Sequence, residues 1–411
     1  MTLTHEHSPS APADELPAFP MARECPFSPP RAYQQMREKR PVAPVRLWNG
    51  NKAWLVTRFD DVRKILTDKR VSNNITHPGF PVLYAARAAV MQQHGKPPYF
   101  HFMDPPEHTE HRRMFTQDFS VIAVKELEEE IQSIVDELID DMLADPKRSA
   151  DYVKAIALPI PTRVIARVLG IPYGDVVKLQ QMMDATAGFN QDPEVAKSSY
   201  ARLNDYVGEL ISRKEANPSI DTISRLISDQ LHPGKIDRPG LIRVILFLLI
   251  VGHETTTSMI ALGTLMLLEH DEQRRQLIRD PSLMQNAVEE LLRYLSIVHL
   301  TTCRVAIEDI EIGGEMIRAG EGIVALVSSA NRDASQFENP DVLDINRNPR
   351  AHLAFGFGVH QCLGQTLARL ELRITLNSIL RRIPTLRLAQ PIDELKFKSY
   401  INGVQSMIVA W

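Results

Sequence analysis

The decapeptide Phe355-Gly356-Phe357-Gly358-Val359-His360-Gln361-Cys362-Leu363-Gly364 says more about this 411-residue chain than any other part of it. It sets Cys362 at the end of a turn relieved by Gly356, Gly358 and Gly364, which carry no side chains and let the backbone wrap closely under a flat ligand. Leu363, Leu367, Leu370 and Ile374 then recur at helical spacing, so a helix is expected directly after the cysteine. A cysteine at a helix start meets unpaired backbone N–H groups and the positive end of the helix dipole, and both favour the thiolate.

A lone cysteine near a turn is ordinarily a buried core residue. The spacing Phe-x-x-Gly-x-x-x-Cys-x-Gly argues otherwise, since chance should produce it on the order of once in several thousand chains of this composition. A thiolate presented from such a loop suits haem iron, because it pushes electron density onto the metal and favours O–O cleavage. On these residues the chain resembles the cytochrome P-450 monooxygenases, and Val359 to Gln365 is most similar to soluble bacterial members of the actinobacterial type. The resemblance implies haem b (iron protoporphyrin IX) as cofactor, Cys362 as its axial metal ligand and Phe355 as part of its seat.

Hydrophobic residues at 44% and charged residues at 24% describe a globular chain with a large core. A formal net charge of −4 gives no reason to expect nucleic-acid or membrane-surface binding. Cys25, Cys303 and Cys362 show neither paired nor metal-type spacing, which fits a reducing compartment. The longest apolar run, Val244 to Val251, is too short to span a bilayer, and Met1 to Leu16 carries no signal pattern. A soluble, cytoplasmic protein is expected.

Residues 1–20 read as a disordered arm and 21–411 as a single domain, with no internal repeat. A helix is predicted from Pro29 to Arg40, a hairpin from Val42 to Thr57, and a helix from Phe59 to Thr67 capped near Asp60. Val71 to Tyr99, rich in Pro and Gly, reads as irregular. Further helices are predicted over Val121–Ala144, Pro161–Gly170, Tyr173–Ala187, Pro193–Glu215, Ile220–Leu231 and, the longest, Pro239 to about His270. Short strands are expected after Ile307. The fold class is mainly α with small β-sheets (α+β). The resemblance implies the cytochrome P-450 fold, with haem between the long central helix and the cysteine-loop helix.

In the middle of that long apolar helix stands Val251-Gly252-His253-Glu254-Thr255-Thr256, and buried acids and hydroxyls there need partners. Thr255 can hydrogen-bond back to the Val251 carbonyl, bending the helix and opening a groove. A polar face meeting water or another helix would show the same residues. The resemblance to the oxygen-activating helix of the family implies Glu254 as relay acid and Thr255 as relay alcohol, feeding protons to bound dioxygen. The family usually has Ala or Gly before Gly252. Val251 either narrows the space over the cofactor or faces a neighbouring helix and fills core.

Glu290 and Arg293 share a helical face, and an exposed pair at that spacing is worth roughly a few tenths of a kcal/mol. The resemblance implies instead a buried pair, joined by Arg347, that pins the loop carrying Cys362. Haem carries two carboxylates that must be paired if buried. The resemblance gives their partners as His108, Arg112, Arg304 and His360, although each alone reads as a surface charge.

The function implied is insertion of one atom of dioxygen into a small or medium organic substrate, in secondary metabolism. The chain shows no flavin or nicotinamide module, so electrons are expected from a separate ferredoxin and an NAD(P)H-dependent ferredoxin reductase. Nitric oxide reduction or peroxide-driven oxidation is the alternative, and a non-catalytic haem gas sensor a third; an intact Glu254-Thr255 pair argues against both. By resemblance the substrate pocket is lined by residues 80–100, 182–189, 298–301 and 401–404, with Asn190, His299 and Asn402 as polar contacts.

Overall fold

The helix Arg238–Glu269 runs through the centre of the molecule. Asp237 starts it, accepting from the Gly240 N–H at 2.7 Å, with Pro239 in the first turn where no N–H is missed. Leu, Ile, Val and Met are buried on all of its sides, as in a helix enclosed by other elements. Its length and composition would also suit a membrane span, but 67% of its most apolar window is buried inside the fold. Gly252 permits a close crossing. A Cβ there would lie 3.2 Å from Cγ1 of Ile165 on the helix Pro159–Leu169. Further along, Gly263 meets Leu376 of the helix Gln365–Arg382, which follows the cysteine loop.

The computed structural model describes residues 16–84, 99–184, 193–300, 302–398 and 401–411. The helices Arg31–Lys39, Phe59–Thr67 and Pro193–Ala216 lie where the periodicity predicts them. The start of Phe59–Thr67 is held differently from expectation. Asp333 Oδ2, not Asp60, accepts from the Phe59 N–H at 2.9 Å, so the cap comes from a distant part of the chain. Val121–Ala144 is two helices, Val121–Glu126 and Glu128–Ala144. The segment after Ile220 is α-helical over Thr222–Leu226 and π-helical over Ile227–Leu231.

The strands are β1 (Val42–Arg46), β2 (Lys52–Val56), β3 (Val71–Ser72), β4 (Ser149–Asp151), β5 (Cys303–Ala306) and β6 (Ile310–Ile312). They continue with β7 (Glu315–Ile317), β8 (Gly322–Ala325), β9 (Arg387–Leu388), β10 (Phe397–Lys398), β11 (Gly403–Val404) and β12 (Ile408–Ala410). One sheet has the order β1-β2-β8-β5-β3, a second β4-β12-β9, and β6–β7 and β10–β11 are hairpins. Residues 17–19, at the end of the expected arm, are held against the fold. Phe19 is only 2% exposed, and the Phe19 and Arg46 N–H groups bond to Arg46 and Pro17 carbonyls at 2.9 Å, tying this segment to β1. Burial of the Phe19 ring offsets the ordering of its neighbours. Residues 1–15 lie outside the described residues.

Glu290 and Arg293 are fully buried, at 0% exposure, so the exposed-pair reading fails. Arg293 grips the carboxylate with both Nε (2.7 Å) and Nη2 (2.8 Å), and Arg347 Nε reaches the same group at 3.2 Å. The remaining Arg293 donors reach the carbonyls of Asn331 and Pro340 at 2.8 Å, while the Asp344 N–H donates to Glu290 at 3.0 Å. This fully satisfied knot fixes the segment that leads to the cysteine loop.

Candidate active site

Gly356 and Gly358 stand at φ +71° and +76°, a backbone region that L side chains rarely adopt. Gly358 is doubly constrained, because a Cβ would also fall 2.8 Å from the Leu66 carbonyl oxygen. The Cys362 N–H donates to the Phe355 carbonyl at 2.8 Å and closes the loop, while the Phe355 ring lies under the Arg369 guanidinium at 4.4 Å. Cys362 presents open surface, yet burial pushes its thiol above the ordinary value. The Gly364 N–H, Arg112 and Arg369 act in the opposite sense without prevailing. The expectation of a dipole-stabilised thiolate is corrected accordingly. Cys362 precedes the helix Gln365–Arg382 by a turn, and desolvation outweighs the donors. A metal bound at Cys362 would restore the anionic form, since a coordinating thiol is deprotonated outright.

Near the cysteine loop the predicted anion partners converge. The His108 and His360 rings are 4.2 Å apart. Burial first, then the charges of Arg304, His108, His101 and Arg112, hold His360 down at about 2. Burial, followed by Arg112, lowers His108 to about 4, and neither of its buried ring nitrogens has a hydrogen-bond partner. Burial depresses Arg304 to about 10; it donates to Asn73 Oδ1 at 2.8 Å and to its neighbour's carbonyl, Cys303 O, at 2.7 Å. Arg112 is likewise lowered by burial. Asp104 is the carboxylate that acts on His108 and Arg304, and it is engaged by the Ser72 hydroxyl and the Asn73 N–H. A buried imidazole without partners, among cations in excess, is the counterpart of an acidic ligand. The residues fit the two carboxylates of haem.

The central helix carries Phe247, Val251 and Thr255, which share one face by spacing. The Thr255 hydroxyl donates to the Val251 carbonyl at 2.8 Å, as its position predicts, and the helix stays continuous. Val251 is 39% exposed in the middle of a buried helix. Glu254 is paired with Lys398.

Several participants escaped the sequence. Asn73 links Arg304 to the His360 side, with its Nδ2 3.5 Å from His360 Nδ1. Phe247 stacks on His101 at 4.5 Å and extends the wall. Against the upward push of burial, hydrogen bonds from His352 and Arg369 hold the Glu289 carboxyl down at about 2, tying the cysteine-loop helix to Met284–Leu295. Asn402, expected to contact substrate, instead donates to Pro26 O at 2.9 Å and takes a structural part. His299 is buried, and burial followed by Arg23 keeps it neutral, down at about 3. Asn190 and most of the expected walls at 85–98 and 185–192 lie outside the described residues.

Comparison with known proteins agrees with this geometry. A sequence profile described as cytochrome P-450 matches residues 189–396. The chain is 44% identical to the vitamin D3 dihydroxylase of Streptomyces griseolus, over 97% of both chains. It is 44% identical to the pentalenic acid synthase of Streptomyces avermitilis, over 96% of this chain and 97% of that one. The crystal structure of MoxA from Nonomuraea recticatena matches with a TM-score of 0.90 at 44% identity, covering 96% of this chain and 98% of that one. The chain belongs to the cytochrome P-450 family, as a haem b-dependent monooxygenase of organic substrates.

Proposed function

We propose that Cys362 ligates the haem iron, that His108, Arg112, Arg304 and His360 hold its carboxylates, that Phe355 supports the loop beneath it, and that Glu254 and Thr255 manage protons on its far side. When bound, haem supplies the iron at which dioxygen is reduced and activated for transfer to a carbon of the substrate. The observation that carries this reading is the cluster around the cysteine loop. Cys362, on a loop with two positive-φ glycines, stands near a buried, unpartnered His108 and the arginines Arg112 and Arg304. The Gly364 N–H steadies the sulfur, and Arg369 couples the loop to Glu289.

Residues 21–411 act as one catalytic domain. Electrons come from a ferredoxin and its NAD(P)H-dependent reductase, in the cytoplasm. The apolar wall and relatives named as hydroxylases support hydroxylation of a medium-sized, largely apolar molecule. The test is the reduced carbon monoxide complex. Cys362→Ser or Cys362→His should lose its strongly red-shifted Soret band, whereas Cys25→Ser and Cys303→Ser should keep it. A band that survives without Cys362 would end the assignment.

A further inference from the structure

Lys398 Nζ, at the end of β10, stands 3.1 Å from Glu254 Oε1. By helical geometry Glu254 and Ser258 flank the row of Phe247, Val251 and Thr255. The hairpin β10–β11 covers that flank. Gly403 pairs in register with Lys398, and a Cβ on Gly403 would fall 2.4 Å from Ser258 Oγ, so glycine alone lets the strand sit so close. The hairpin is also built into the expected substrate wall, because the Asn402 N–H donates to Ile297 O at 3.0 Å and its side chain to Pro26. One short element therefore joins that wall to the carboxylate of Glu254. Among the described residues no hydrogen bond joins Glu254 to Thr255, whose hydroxyl donates to Val251.

We infer that Lys398 is a positioning residue that latches Glu254 onto the β10–β11 hairpin, so that proton delivery waits on movement of that hairpin when substrate seats against the wall. The inference rests on Glu254 being the relay acid. The two side chains are 26% and 14% exposed, and pairs this accessible are worth a factor of about five at most. Such a latch opens at small cost. The neighbouring His253 cannot replace Lys398 as the cation. Burial, followed by Lys398, holds it at about 4, so it is neutral near pH 7.

Lys398→Met removes the charge and keeps the stem; Lys398→Arg keeps the charge. With surrogate ferredoxin, reductase and NADPH but no substrate, two electrons and two protons leave on dioxygen as hydrogen peroxide. That leak should rise roughly 2- to 5-fold in Lys398→Met, the range such a pair controls, and return to the parental rate in Lys398→Arg. The double variant Glu254→Gln/Lys398→Met should match Glu254→Gln alone. Without turnover, the Glu254 carboxylate stretch, isolated as the parent-minus-Glu254→Gln infrared difference, should move when a tight azole ligand is added. In Lys398→Met it should not respond. If Lys398→Met loses haem, Lys398→Gln carries the same expectations. A parental leak and a ligand-responsive band without Lys398, with Glu254→Gln still slow, overturn the latch and leave the relay standing. Glu254→Gln turning over like the parent removes the relay, and the latch with it.

Discussion

The hydroxyl of Thr255 donates to the carbonyl of Val251 at 2.8 Å, one turn back along the central helix. Its proton is therefore held on the helix. The proposed relay role requires the hydroxyl to rotate off that carbonyl before it can donate elsewhere.

Thr255→Ala removes the hydroxyl and leaves the helix intact. Product formation should fall roughly 100-fold or more, as expected on losing a positioned proton-transfer group, while NADPH continues to be consumed and appears as hydrogen peroxide. Thr255→Ser should recover most of the coupling. Parental coupling in Thr255→Ala would reject the relay and bring nitric oxide and peroxide assays to the fore.

Glu290 and Arg293 should fail together. Arg293→Ala leaves a carboxylate buried with only Arg347 for a cation, a loss on the order of 3–5 kcal/mol. Little haem-loaded protein should be recovered. Arg293→Lys keeps the charge but cannot fork onto both oxygens or reach the Asn331 and Pro340 carbonyls, so it should rescue only in part. Full haem occupancy with a parental melting temperature in Arg293→Ala would contradict the buried knot.

His253 gives a pH signature. It is buried, its Nε2 has no partner, and burial lowers it from 6.5 to about 4. Between those values the unfolded chain takes up a proton that the folded chain refuses. Its contribution is thus present above pH 6.5 and lost as pH falls toward 4, at a limiting slope of about 1.4 kcal/mol per pH unit. His253→Gln should flatten the fall of the melting temperature across that window. Equal slopes in parent and variant would mean that His253 finds a proton acceptor when charged.

Much of this was legible because the relevant patterns are local. The glycine-relieved cysteine loop, the Thr255 back-bond and the Glu290–Arg293 spacing are each written within ten residues. The burial of the Glu290–Arg293 pair and the part of Arg347 in it were reached only through family resemblance, since spacing alone reads as an exposed pair. What stayed hidden depends on contacts far apart in sequence. Asp333 caps the helix at Phe59, Asn73 meets Arg304, Glu289 joins His352 to Arg369, and Lys398 meets Glu254, with no local periodicity to announce any of them. The ionisation of Cys362 was misread for a related reason. Sequence gives proximity to a helix start but not the depth of burial, and burial decides the direction.

Val251 is the place where the chain departs from the usual small residue of its family, and the two readings of that departure are now unequal. Gly252, its neighbour, is the residue turned against Ile165, so the helix–helix contact does not need Val251. Val251 has 39% of its surface open in the middle of a buried helix, on the row that carries Thr255. If Val251 gates the site, its methyls take the volume of a small substituent from the substrate, and one misplaced methylene is worth about 1–3 kcal/mol, or roughly 10- to 200-fold in selectivity. Val251→Ala should therefore admit bulkier ligands in a Soret titration panel, with little change in melting temperature. Val251→Gly should extend the panel further, at a cost of about 1 kcal/mol for glycine in a helix interior. A core-filling valine predicts the reverse, a cavity penalty of about 1–3 kcal/mol and an unchanged panel. An unchanged ligand panel with a lowered melting temperature would show that Val251 packs rather than gates.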